Sequence, residues 1–176
     1  MITPCQPDEL MTIAAARRLR DGATCFVGIG LPGAAANLAR RVHAPDLTLV
    51  YESGTIGSKP DFLPLSIGDG ELAETADTVV PLPEVFAYWL GGGRIDVGLL
   101  GAAQIDRFGS LNSTVIGEYE APRVRLPGAG GAPDIAAMAG EVLVMARHDR
   151  RTFVDTLDFI TTRARPPRSM LRASTA

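Results

Sequence analysis

The sequence predicts an α/β fold built on an open, mostly parallel sheet with helices on both faces. Three observations carry this expectation. Short β-prone runs alternate with helical segments, glycine-rich turns follow the runs, and the composition suits a chain that buries a core. Strands separated by helical segments are joined by right-handed crossovers, which cover both faces of the sheet. With 176 residues, 46% hydrophobic and 21% charged, the chain has the size and mixture of one ordinary folded domain.

Residues 8–19 set Leu10, Met11, Ile13, Ala14 and Leu19 at roughly helical spacing, with arginines near the end where cations suit the helix dipole. The apolar run 23–27 predicts the first strand, which stops at Gly28-Ile29-Gly30-Leu31-Pro32-Gly33 before residues 34–42 resume a helical pattern. A second strand over 47–51 runs into Glu52-Ser53-Gly54-Thr55-Ile56-Gly57, completing a βαβ alternation. Downstream, residues 77–80 predict a short strand, 83–90 a helix and 95–100 a buried strand. Turn chemistry at Arg107-Phe108-Gly109-Ser110 lies between two β-prone pieces. A second glycine-rich loop over 127–133 opens a helical stretch at Pro133-Asp134, and residues 141–146 form the clearest strand in the sequence. We expect one domain over residues 1–160. Residues 161–176, with adjacent prolines, four arginines and no hydrophobic periodicity, form an irregular tail expected to pack poorly.

The formal net charge of −3 supplies no broad basic field for a nucleic-acid backbone or an anionic membrane, so neither is an expected partner. Cys5 and Cys25 are too few for a disulfide framework and have no companions at metal-ligand spacing, so no metal is expected and both thiols read as reduced. The first 20 residues lack the ordered regions of a signal peptide, and no apolar run approaches the ~18 residues that cross a bilayer. The expected location is the cytoplasm.

Open parallel sheets bind ligands beyond the carboxyl ends of their strands, where helix amino termini point N–H groups inward. Three loops fit that position: 28–33, 52–57 and 128–134. The first satisfies the G-x-G-x-x-G dinucleotide pattern, but Pro32 is expected to interrupt the helix opening and no acidic ribose partner is placed, which disfavours a nicotinamide cofactor. Glu52 is the most informative residue, a carboxylate delivered by a strand into the crevice. On position alone it reads either as a reacting group or as a capping or solvated loop glutamate. His43 and His148 read as surface or capping residues. Gln104, Asn112 and Asp134 either line a site or stabilise their turns through side-chain to backbone hydrogen bonds.

Around Glu52 the sequence resembles the β-type half of the family I coenzyme A transferases, in the glutaconate-type form. Glu52-Ser53-Gly54 is similar to the family's glutamate motif, most often Glu-Asn-Gly. Gly28-Ile29-Gly30-Leu31-Pro32, Gly101-Ala102-Ala103-Gln104, Gly109-Ser110-Leu111-Asn112 and Gly128-Ala129-Gly130-Gly131-Ala132-Pro133-Asp134 resemble further family segments in family order, over about residues 8–160. The resemblance implies a three-layer α/β/α fold, Glu52 as the catalytic nucleophile, and a transfer that passes through an anhydride and a glutamyl-CoA thioester. Coenzyme A, as acyl-CoA, is then a substrate and no tightly bound cofactor is expected. The coenzyme-binding positions implied are Gly28, Gly30, Gln104, Asn112, Gly130, Gly131 and Asp134, with the backbone N–H groups of 28–30 or 130–131 as oxyanion donors. An α-type subunit is the implied partner, with an acyl-CoA and a carboxylic acid as substrates.

Two departures stand beside the resemblance. Ser53 replaces the asparagine of many members, and members usually continue well beyond the region of Ile160, so a C-terminal truncation or a frame change is open at this point. Two other readings remain: a CoA-ester hydrolase or carbon–carbon cleaving relative acting in steroid ring degradation, which such members can perform without the glutamate, and a non-catalytic α/β ligand-binding module.

Overall fold

A computed structural model describes residues 5–164 of the chain. Residues 165–176 of the expected tail, like residues 1–4, lie outside the described residues. The described residues form two compact units, the first made of residues 5–101 together with Met138–Met145, the second of Ala102–Ala137 and residues 146–164.

The first unit holds the sheet. Helix α1 (Pro7–Ala16) leads to β1 (Thr24–Val27), α2 (Leu31–Val42) and β2 (Thr48–Tyr51). The chain turns back through β3 (Thr55–Ile56), then passes the short helix α3 (Gly70–Glu74) and β4 (Thr78–Val79). A helical segment follows, one turn α4 (Leu82–Glu84) continued as a π-helix (Val85–Leu90), and then β5 (Val97–Gly101). Numbering the remaining elements in chain order, the last strand is β10 (Glu141–Met145), and the sheet order is β10-β5-β1-β2-β3-β4. The four strands from β10 to β2 pair in parallel, while β3 and β4 are antiparallel additions at one edge. The fold is thus the expected α/β arrangement with a mostly parallel sheet.

Strand alternation sorts the core. Cys25 and Val27 of β1 pack with Leu49, Tyr51, Val97, Leu99 and the small residues Ala35, Ala36 and Ala39 of α2. Phe26, one position out of phase, points to the opposite face and meets Phe86 of the π-helix with ring centroids 5.9 Å apart. Both faces are therefore covered by helices. Alanines on α2 let its backbone approach the sheet closely, and Asn37, buried among them, donates its Nδ2 to the Gly33 carbonyl at 2.9 Å.

Helix α2 begins earlier than its sequence pattern suggests. Gly30 caps it in a left-handed conformation (φ +81°), and Pro32 stands in the first turn, where a missing N–H removes nothing because that group has no intrahelical acceptor. Pro32 therefore opens the helix and does not interrupt it.

The second unit is built of hairpins. Strands β6 (Gln104–Ile105) and β7 (Leu111–Asn112) pair across the Arg107–Ser110 turn, and β8 (Val115–Gly117) pairs with β9 (Pro122–Arg125) across exposed Glu118, Tyr119 and Glu120. Helix α5 (Ala132–Met138) follows the second glycine-rich loop. Thr161 to Ala164, the start of the expected tail, are tied down: Thr162 is 3% exposed and bridges to Leu111, and the Thr161 hydroxyl accepts from Ser113 N at 2.9 Å. Among the described residues no helix is long and apolar enough to cross a membrane.

Candidate active site

The parallel pairing of β1 and β2 puts Val27 level with Tyr51. Gly28 and Glu52, the next residue of each strand, therefore leave the sheet side by side at its carboxyl edge, about 5 Å apart by strand spacing. Sequence reasoning placed both loops at this edge. Strand pairing brings them together as neighbours.

Glu52 and Ser53 are the two central residues of a turn closed by the Gly54 N–H donating to the Tyr51 carbonyl at 3.0 Å. Both are partly exposed, whereas Tyr51 and Gly54 on either side are buried. The turn is locked from outside. Gly54 has φ +104°, its carbonyl accepts from Val80 N at 2.9 Å, and a Cβ there would overlap the Val80 carbonyl oxygen. Only glycine fits, so the motif's glycine is required by the antiparallel return of β3 against the segment after β4.

Below the turn lies a polar cluster that sequence reasoning missed. The Tyr51 ring is wholly buried, and burial pushes its hydroxyl above the ordinary phenol range, with the neighbouring Asn37 and Arg40 partly opposing the rise. Arg40 donates to the Asn37 side chain at 3.4 Å and to the Pro60 carbonyl at 3.3 Å, while burial and the adjacent Arg41 lower its pKa. Arg41 holds the same segment through the Pro60 and Asp61 carbonyls at 3.1 and 2.9 Å. These arginines fasten the chain that continues from the Glu52 turn to the last turns of α2. Two hydroxyls here, Ser53 Oγ in the turn and Thr55 Oγ1 at the start of β3, are buried and have no hydrogen-bond partner among the described residues.

Gly30 caps α2 and Gly28 precedes it, and neither N–H donates to an acceptor among the described residues. With the helix amino terminus behind them they form an electropositive edge suited to an oxyanion. Cys25, earlier in β1, is sealed in the core and pushed up to about 12 by burial, so it is no nucleophile.

In the second unit, Gly130 (φ +48°) and Gly131 precede α5, and the Gly131 carbonyl accepts from Ile135 N at 3.0 Å. Asp134 is exposed in the first turn of that helix. Gln104 and Asn112 are buried and bonded to each other, Asn112 Nδ2 donating to Gln104 Oε1 at 2.7 Å. Asn112 also donates to the Val115 carbonyl and accepts from Thr114 N and Val115 N, which uses all four of its bonding positions. Gln104 donates to Asp158 Oδ2 at 3.1 Å and accepts from Asp158 N. Asn112 thus stabilises its own turn, whereas Gln104 ties the hairpin to the distant segment at Asp158. Asp158, which also accepts from Gly117 N at 3.0 Å, is the hub that sequence reasoning passed over, because a lone aspartate in an irregular segment gives no signal.

The two histidines are structural. His43 ends α2 with Nε2 3.1 Å from the Leu19 carbonyl, and His148 packs edge-on against Phe153. No group of three or more metal-ligating side chains is found among the described residues.

Comparison with known proteins adds relatives to this geometry. Residues 9–172 match the model of the family described as Coenzyme A transferase. The chain is 70% identical over 154 residues to one subunit of the 3-oxoadipate CoA-transferase of Pseudomonas knackmussii, an alignment covering 88% of this chain and 59% of that protein. The crystal structure of glutaconate coenzyme A-transferase from Acidaminococcus fermentans superposes with a TM-score of 0.83 at 32% identity, over 90% of this chain and 62% of that one. The decarboxylase AibA/AibB superposes with a TM-score of 0.81 at 29% identity, over 91% of this chain and 67% of that one. The chain thus spans about three fifths of the length of the first two.

Proposed function

The chain belongs to the coenzyme A transferase family, and from that premise we propose that it is the glutamate-bearing subunit of an enzyme that moves CoA between an acyl-CoA and a carboxylic acid. One observation carries the reading: Glu52 is the first residue beyond β2, held in a locked turn beside the glycine edge of β1 and α2. A fold shared with a decarboxylase does not choose a reaction, so the choice rests on this residue.

The chemistry follows from a carboxylate in that position. A Glu52 oxygen attacks the thioester carbonyl carbon, the carbon–sulfur bond breaks, and CoA thiolate leaves a mixed anhydride on Glu52. The thiolate then attacks the Glu52 carbonyl carbon, expelling the first acid as its carboxylate and leaving a glutamyl-CoA thioester. An acceptor carboxylate attacks the same carbon, and the released thiolate takes its acyl group, which restores Glu52. No proton, metal or oxidant is consumed, so the site needs a positioned carboxylate and oxyanion donors but no general base. Gly28 and Gly30 are proposed as such donors. In the second unit, Gly130, Gly131 and Asp134 are proposed as coenzyme contacts on their own chemistry, with Gln104 and Asn112 shaping the hairpin that precedes them.

The Pseudomonas relative is named as one subunit of a 3-oxoadipate CoA-transferase, which supports an α-type partner for this chain and a 3-oxo dicarboxylic acid as a substrate. Mixing the chain with the purified partner should produce exchange of labelled 3-oxoadipate into 3-oxoadipyl-CoA, and Glu52→Gln should abolish it while leaving thermal unfolding unchanged. Full exchange by the glutamine variant, or by the wild-type chain without a partner, would reject the corresponding part of the proposal.

A further inference from the structure

We infer that the Ser53 hydroxyl is a catalytic hydrogen-bond donor to the oxyanion that forms on the Glu52 carbonyl carbon, an inference that rests on the transferase reading above. Ser53 and Glu52 are consecutive central residues of one closed turn, so their side chains leave the backbone at a fixed relation. Ser53 Oγ is buried, yet it has no hydrogen-bond partner among the described residues. A buried hydroxyl left unpaired is uncommon in folded proteins and calls for a role. Here the role follows from the chemistry of its neighbour. Each transfer places negative charge on an oxygen of the Glu52 carboxyl group when the thiolate attacks the anhydride, and again when the acceptor attacks the glutamyl thioester. The Ser53 hydroxyl breaks no existing hydrogen bond when it donates to such an oxygen. Its donation is therefore felt as charge develops and not before, which is the condition for lowering a barrier. Serine keeps its proton throughout and the carbon–oxygen and carbon–sulfur bonds exchange as already described.

The other unpartnered hydroxyls nearby are less suited. Tyr51 is 0% exposed and Thr55 4% exposed, whereas Ser53 shares the partial exposure of Glu52 itself. The family's more frequent asparagine offers an amide N–H donor at the same position, chemistry that serine replaces with a shorter O–H.

The test uses the complex with the partner subunit and follows labelled 3-oxoadipate into 3-oxoadipyl-CoA. Ser53→Ala should lower kcat by about 100-fold with KM within about twofold and an unchanged melting temperature, because the loss falls on the transition state alone. Ser53→Asn should recover to within about tenfold of the wild type, since a donor returns. Alanine at full speed, or a loss of rate that arrives with a melting temperature lowered by several degrees, would overturn the assignment. If the wild-type complex exchanges label and Glu52→Gln does not, a fully active alanine variant removes Ser53 from the mechanism and leaves the transferase reading standing. No exchange by the wild-type complex would remove both.

Discussion

Gly54→Ala probes how tightly Glu52, the proposed nucleophile, is held. The position has φ +104°, a conformation that costs a residue with a Cβ about 1–3 kcal/mol. The added methyl would also overlap the Val80 carbonyl oxygen, so the backbone must shift. That shift loosens two hydrogen bonds, Gly54 N to Tyr51 O at 3.0 Å and Val80 N to Gly54 O at 2.9 Å, each worth about 1 kcal/mol net. Together these losses come to about 3–5 kcal/mol. In a chain of this size each kcal/mol moves the melting temperature by about 2–4 °C, giving an expected fall of about 6–20 °C by differential scanning calorimetry. Activity should fall with it, by about 100-fold or more, because the first bond lost is the one that closes the Glu52 turn. A variant that melts within about 2 °C of the wild type and keeps its turnover would refute the claim that this turn is locked.

Gly131→Ala should raise the KM for acyl-CoA by about tenfold with kcat nearly unchanged, through loss of one proposed coenzyme contact before α5; an unchanged KM with a lowered melting temperature would make the loop a structural turn. Cys25 predicts a pH dependence. Its thiol is raised from 9.0 to about 12 by burial, so the folded state holds a proton that the unfolded state releases, and stability present below pH 9 is lost as pH rises toward 12. Melting curves across that window should fall more steeply for the wild type than for Cys25→Ala, by up to about 1.4 kcal/mol per pH unit, and equal slopes would refute it.

Strands β1, β2 and β5 were legible because each is a short β-prone run ended by glycine or by Glu52, and burial on both faces leaves little room for polar residues; β10 was legible from its apolar run alone. The antiparallel edge was not legible as such: β3 is two residues long, and nothing local reveals that Thr55-Ile56 turns back on β2. The 83–90 helix was found, but its π character rests on bonds five residues apart such as Gly91 N to Phe86 O at 2.8 Å, and the apolar spacing does not separate these from the four-residue bonds of an α-helix. At the site, Glu52 and the glycine loop were visible as motif and position. The Gly54–Val80 lock, the Arg40 and Arg41 anchors and the unpaired Ser53 hydroxyl were not, because each is defined by a partner distant in sequence or by having none. Gln104 and Asn112 show another case, motif residues whose side chains bond each other, with Asn112 closing its own turn and Gln104 reaching Asp158.

The proposed mechanism requires Glu52 to become covalently linked during transfer. Treating the complex of this chain and the proposed α-type subunit with the proposed substrate 3-oxoadipyl-CoA, reducing it with borohydride and mapping the peptides by mass spectrometry tests that requirement most directly. We predict modification of Glu52 alone, absent without acyl-CoA and absent in Glu52→Gln. Label on any other residue, or an active complex that yields no modified Glu52, would contradict the account.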